Sequence, residues 1–183
     1  YVRVAVNAGR AMVIGATGLT GEEIAAVRKA AEKIPIVWAP NMSLGVNLLF
    51  AEVKKAAAVL GKGYRVSLEE THHIHKKDAP SGTALRLGEK TAEGMGKELK
   101  SIMIHDPEGK GGQHPDGQIV IRSFRRGEVV GDHTVIFENE AERIEFTHHA
   151  WSRDAFAMGA LRAAQWVVTR HPGLYDMQDV LGL

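Results

Sequence analysis

The segment Glu69–Leu85, EETHHIHKKDAPSGTAL, gathers the groups of this chain best suited to proton transfer and anion binding. Three imidazoles (His72, His73, His75) and two ammonium groups (Lys76, Lys77) fall within six positions. Imidazole gives and takes protons near neutral pH. Ser81, Gly82 and Thr83 stand where a helix is expected to begin. Backbone N–H groups there lack intrahelical partners, and the helix dipole is positive. A glycine at that point lets the backbone approach a ligand closely. Cationic side chains just upstream complete a site for a small carboxylate or phosphate anion. A lone histidine in a polar loop is more often a solvated side chain. The coincidence of donors with an opened helix start is what singles out this segment. The HHxH spacing also suggests a metal. No carboxylate or further histidine stands at helical i, i+4 spacing to complete such a site, so no metal is expected.

These groups need elements to hold them. Thr20 and Glu23 have capping-box spacing and predict a helix from about Gly21, with Ile24, Val27 and Ala31 on its apolar face. Ile34–Trp38 reads as a short buried strand, and a helix follows from Val46 to Leu60, closed by Gly61. Tyr64–Leu68 reads as a strand, residues 70–82 as a polar loop, and Ser81–Gly94 as the next helix. Residues 105–117 are rich in glycine and read as a mobile loop. Gln118–Phe124, Glu128–Phe137 and Arg143–His149 read as strands, with Arg126–Gly127 as a hairpin turn joining the first two. A last helix spans Arg153–Val168. At the start, Val2–Val6 alternates and reads as a strand, and Met12–Ile14 as another. The early order is α/β and the later order α+β.

The bulk numbers exclude several classes. Net charge is +1 and charged residues are 25% of the 183, so no overall field favours nucleic acid or a membrane surface. No apolar run is long enough to span a bilayer, and no signal peptide is visible. The chain has no cysteine, which removes thiolate metal sites and makes the cytoplasm the default compartment. The second histidine pair, His148–His149, ends a strand on opposite faces and reads as structural. Arg125 and Arg126 read as turn and surface residues.

The Glu69–Leu85 segment closely resembles the signature of the 4-hydroxy-tetrahydrodipicolinate reductase family, also called dihydrodipicolinate reductases. NMSLGVNLL, GEVVGDHTVIF, ERIEFTHHAWSRDAFAMGALRAA and the ending LYDMQDVLGL are similar to family sequence as well, so the likeness runs from Met12 to Leu183. The resemblance implies a Rossmann-type dinucleotide-binding domain and a mixed-sheet α+β domain for substrate binding and oligomerisation. Residues 1–41 and 151–183 would belong to the first, and 42–150 to the second. It implies reduction of a small cyclic dicarboxylate by NADH or NADPH, with loss of water, in a homotetramer. His72 would be the catalytic proton donor or acceptor, and Lys76 the second proton donor. His73, Ser81, Gly82 and Thr83 would bind substrate. The nicotinamide contacts would fall on Gly15, Ala16 and Thr17 and on Ala39, Pro40, Asn41 and Met42, of which Ala16, Pro40 and Met42 depart from the commonest family pattern.

GATGLTG alone, with Gly15, Gly18 and Gly21, also looks like the phosphate loop of short-chain dehydrogenases; the resemblance places it nearer the nicotinamide. The beginning departs from the family. VRVAVN looks like its first strand and AGRAMVIGATG like a strand several units later, so about 80 to 90 residues would be missing between Asn7 and Ala8 at roughly 30 per βαβ unit. If the junction is real, the two strands should form a hairpin, and a cofactor-free dicarboxylate-binding module becomes the competing reading. A histidine-rich metal-binding protein is a third.

Overall fold

The computed structural model describes residues 1–107 and 114–183. Along the chain come α1 (Val2–Asn7), β1 (Met12–Ile14), α2 (Gly21–Ala31), β2 (Pro35–Trp38) and α3 (Leu44–Leu60). Then follow β3 (Arg65–His72), α4 (Gly82–Gly94), α5 (Leu99–Ile102), β4 (Met103–Pro107), β5 (Ile119–Arg125), β6 (Gly131–Glu138) and β7 (Arg143–Ala150). The chain ends with α6 (Asp154–Val167), β8 (Gly173–Tyr175) and α7 (Met177–Leu181). Two compact units result: Tyr1–Leu48 with Asp154–Leu183, and Leu49–Arg153. The first is α/β and the second α+β.

The first unit holds a three-stranded parallel sheet in the order β1-β2-β8. Ile36 and Val37, fully buried on β2, anchor apolar clusters on its two faces. Val27, Ala30 and Ala31 of α2 cover one face, and Ala163 and Val167 of α6 the other. The capping box at the start of α2 forms as its spacing predicts: Glu23 N–H donates to Thr20 Oγ1, and Thr20 N–H donates to Glu23.

The N-terminal expectation is overturned. Val2–Asn7 is a helix, and backbone N–H groups of Ala8 and Gly9 donate to the carbonyls of Val4 and Val6. The junction at Asn7–Ala8 is therefore continuous helix end, with neither a gap nor a hairpin. Val2, Ala5 and Val6 pack on the β1 side of the sheet; their 3–4 spacing is helical, and tertiary burial outweighs the strand propensity of the valines.

The second unit is built on a five-stranded mixed sheet in the order β4-β5-β3-β6-β7. The strands β4, β5 and β3 run parallel, and β6 and β7 are antiparallel. Being central, β3 is paired along both edges, and on one of its faces Val66, Leu68 and Glu70 are almost fully buried. Helix α4 packs on the sheet through Ala84, Leu87, Gly88, Thr91 and Ala92, an i, i+3, i+4, i+7, i+8 stripe. Two readings need correction here. The expected polar loop at 70–82 begins later, because β3 runs through His72 in register with β5 and β6. The expected β5–β6 hairpin does not exist, because β3 lies between those strands. Of the expected glycine-rich loop, 105–107 belong to strand β4, 108–113 lie outside the described residues, and 114–117 form an irregular turn ahead of β5.

One glycine sets a close approach in the first unit. A Cβ on Gly159 of α6 would lie 1.7 Å from the Met42 carbonyl oxygen. Backbone cannot yield as a side chain can, so Gly159→Ala should cost about 1–3 kcal/mol in denaturant unfolding. Gly21→Ala, whose Cβ would meet nothing within 4 Å, should remain within about 0.5 kcal/mol of the parent. Equal losses would show that this approach does not fix the packing of α6.

Candidate active site

At the far end of β3 the second unit turns from apolar to ionic. Glu70 is buried to 0% exposure, and His72, two residues on, shares its side of the strand. Four elements converge on Glu70. The Ser81 amide, just ahead of α4, donates to Oε1 at 3.0 Å. Arg125 Nη2, at the end of β5, lies 3.4 Å from the same oxygen. His72 Nε2 approaches Oε2 to 3.3 Å, and His133 Nε2 on β6 lies 3.9 Å from it. Burial alone would raise the Glu70 carboxyl, but its polar contacts with His72, Ser81 and Ser123 outweigh it and hold the group well below the usual carboxylate range.

The His72 ring is fixed from its other side. Its Nδ1 lies 3.0 Å from the Val130 carbonyl oxygen, which can only accept, so Nδ1 carries a hydrogen. Gly131 leaves the room: a Cβ there would sit 2.8 Å from His72 Cε1. The rings of His72 and His133 meet edge to face, with centroids 5.1 Å apart. Burial, aided by the nearby His72, pushes His133 down to about 3, so it is neutral.

Ser81 is the N-cap of α4, and its Oγ accepts from the Ala84 amide at 3.2 Å. The same Oγ lies 3.2 Å from His133 Nε2. The helix start is thus tied to β3 through Glu70 and to β6 through His133. Gly82 is exposed and Thr83 half-buried at that start. Lys76, mostly covered, pairs with Asp78 at 2.8 Å. Arg125 holds the intervening loop by donating to the carbonyls of Lys76 and Asp78. The His73 and His75 rings lie 6.2 Å apart, His73 half-buried and His75 exposed.

Sequence reasoning missed Glu70, His133 and Arg125. Glu70 stood inside the quoted motif, but its complete burial is set by non-local strands. His133 lies within the GDHT run, and only the register His133↔Glu70 brings it to the site. Arg125, read as a turn residue, is instead the counter-charge to Glu70. The His148–His149 pair falls on opposite faces as expected, with His149 Nδ1 3.1 Å from Asp132.

In the first unit, the other expected group gathers at the carboxyl ends of two neighbouring parallel strands. Gly15, Ala16 and Thr17 follow β1, and Ala39, Pro40, Asn41 and Met42 follow β2. Ala39 N–H donates to the Ile14 carbonyl, and Trp38 Nε1 to the Ala16 carbonyl. Gly15–Thr17 and Pro40 are exposed, whereas Ala39 and Met42 belong to the core. Ligands of open parallel sheets bind at such carboxyl ends, and the exposed backbone of Gly15–Thr17 suits a nucleotide.

Glu70, His72 and His133 also have metal-ligand spacing, with donor atoms within 4.8 Å of one another. The Arg125 guanidinium already answers the Glu70 charge, which disfavours a second, divalent cation there. No helix among the described residues is long and apolar enough to cross a membrane.

Comparison with known proteins gives consistent matches. The family model "Dihydrodipicolinate reductase, C-terminus" matches residues 45–181, and "Dihydrodipicolinate reductase, N-terminus" matches 1–42, so the likeness extends ahead of Met12. The 4-hydroxy-tetrahydrodipicolinate reductase of Anaeromyxobacter dehalogenans is 51% identical over all of this chain and 68% of its own length. That of Syntrophus aciditrophicus is 49% identical, with the same coverage. A solved structure described as dipicolinate-bound dihydrodipicolinate reductase from Paenisporosarcina sp. TG-14 superposes with a TM-score of 0.73. It is 27% identical, and the match covers 97% of this chain and 67% of that one. With its site carried on β3 and the start of α4, and its whole length matched, this chain belongs to the dihydrodipicolinate reductase family.

Proposed function

We propose that this protein reduces 4-hydroxy-tetrahydrodipicolinate to tetrahydrodipicolinate with loss of water, using NADH or NADPH, in the diaminopimelate route to lysine. The observation that carries the reading is His72 held beside the start of α4 by Glu70 and Val130. A dicarboxylate needs amide and cationic donors, and the reaction needs protons. Both lie within one short segment.

In this reading Leu49–Arg153 binds the cyclic dicarboxylate, and the sheet carrying it builds a homotetramer. Ser81, Gly82 and Thr83 offer the helix start to one carboxylate, and His73 binds the substrate as well. His72 and Lys76 handle the protons: the hydroxyl leaves as water while the neighbouring ring carbon gives up a proton, and one further proton accompanies the hydride in the reduction. Asp78 keeps the Lys76 ammonium in place until substrate competes for it. The Gly15–Thr17 and Ala39–Met42 loops receive the nicotinamide nucleotide, which supplies the hydride. The partners are this substrate and further copies of the chain, with no nucleic acid or membrane, and the cytoplasm is the compartment.

Lys76→Ala should lower turnover by about 10² to 10⁴, the usual worth of a positioned acid. Turnover within a few-fold of the parent would remove Lys76 from the mechanism. Dipicolinate, the ligand named for the Paenisporosarcina structure, should compete with substrate for the α4 start. Thr83→Pro deletes one first-turn N–H and should weaken that inhibition by about 1 to 3 kcal/mol. Inhibition constants report this directly, and unchanged inhibition would place the anchor elsewhere. Dicarboxylate binding with no NADH- or NADPH-dependent reduction would favour a cofactor-free binding module.

A further inference from the structure

Nothing so far explains why a carboxylate sits at the centre of the site with no exposure to solvent. A buried ionised group is costly even when it is paired and hydrogen-bonded. Glu70 does not reach the surface, so it is no ligand for the substrate.

The atoms around His72 suggest a task for Glu70. Nδ1–H donates to the Val130 carbonyl. Nε2 faces the Glu70 carboxylate at 3.3 Å. Both neighbours are acceptors, so a neutral ring would turn a lone pair towards a carboxylate. A ring carrying both hydrogens has no such conflict. His133 cannot take this role, since its Nε2 is engaged with Ser81 Oγ and its burial keeps it neutral. The contact between Nε2 and Glu70 lacks the alignment of a hydrogen bond. It is an attraction of charges between two atoms that are both shielded from water.

The charged groups around His72 come from each neighbouring element. Glu70 shares its strand, Arg125 stands opposite on β5, and His133 stands on β6. Lys76 and Asp78 lie in the following loop, paired with each other. His148 on β7 lies beyond His133. Among these, Glu70 is the anion in contact with the ring.

We propose that Glu70 is a positioning residue that holds His72 as an imidazolium and fixes this proton donor against the start of α4 through the Ser81 amide. The proposal rests on the reading of His72 as an acid of the reductase reaction. Transfer of a ring proton in the reaction would leave His72 neutral, and the carboxylate would then favour its reprotonation from water.

The test uses the full chain. In ¹⁵N-labelled wild type, His72 should show two protonated ring nitrogens at pH 7, and in Glu70→Gln the ring should be neutral. A neutral His72 in the wild type overturns the proposal, whether or not the variant folds. In Glu70→Gln, kcat should fall about tenfold or more, while dipicolinate affinity stays within a few-fold. Loss of the carboxylate disfavours the charged ring, so the protonated acid disappears at lower pH and the basic limb of the kcat profile moves to lower pH. An unmoved limb overturns the proposal. A drop in kcat with dipicolinate affinity lost to the same degree also overturns it, by reducing Glu70 to scaffolding. His72→Asn separates the two readings: if it retains full turnover, the acid role of His72 fails, whereas the nitrogen spectrum still reports what Glu70 does to the ring.

Discussion

A carboxylate with no access to water must be answered by charge and hydrogen bonds from within, and in the second unit that requirement falls on Glu70. Its two oxygens draw in an amide ahead of α4, a guanidinium from β5, and imidazoles from β3 and β6. Removing any one of these would leave a buried charge less well compensated, which is costly. The helix start that holds an anion in our reading and the histidine that supplies its proton therefore cannot drift apart independently. Preorganisation of this kind sets a donor in place before substrate arrives.

The sheet makes that convergence possible. A central strand with a parallel neighbour on one side and an antiparallel one on the other receives side chains from both at a single level. Thus His133 and Ser123 both pair with Glu70, and Arg125 with His72. Glu69, one residue away, points to the other side and is met by Arg122. Alternation along β3 divides two adjacent glutamates between separate ion-pair systems.

Local signals in the chain were legible where local physics decides. The Thr20–Glu23 box is a pair of short-range hydrogen bonds and formed at the expected position, and the helix expected near Ser81 begins there. The anion-binding composition around Ser81–Thr83 was visible for the same reason. Signals failed where distant segments decide. Thr71 and His72 are polar, so nothing in their composition marks them as strand; pairing on both sides extends β3 to include them. Arg126–Gly127 looks like a hairpin turn, because the sequence does not reveal that β3 occupies the place between β5 and β6. Val2–Val6 carries both an alternating pattern and a helical spacing, and burial against the β1 face selects the second.

The order of the strands also bears on how the chain acquires its structure. Arg125 follows Glu70 by 55 residues, and His133 comes later still. During synthesis from the N-terminus, the Glu70–Lys76 segment emerges well before the partners that neutralise it. Non-local pairing of this kind carries a loop-closure cost and slows folding. Until β5 and β6 arrive, β3 is a strand with two open edges and an unburied carboxylate near its end. The charge that organises the finished site thus also keeps the nascent strand hydrated, and it opposes premature association of those edges with other chains.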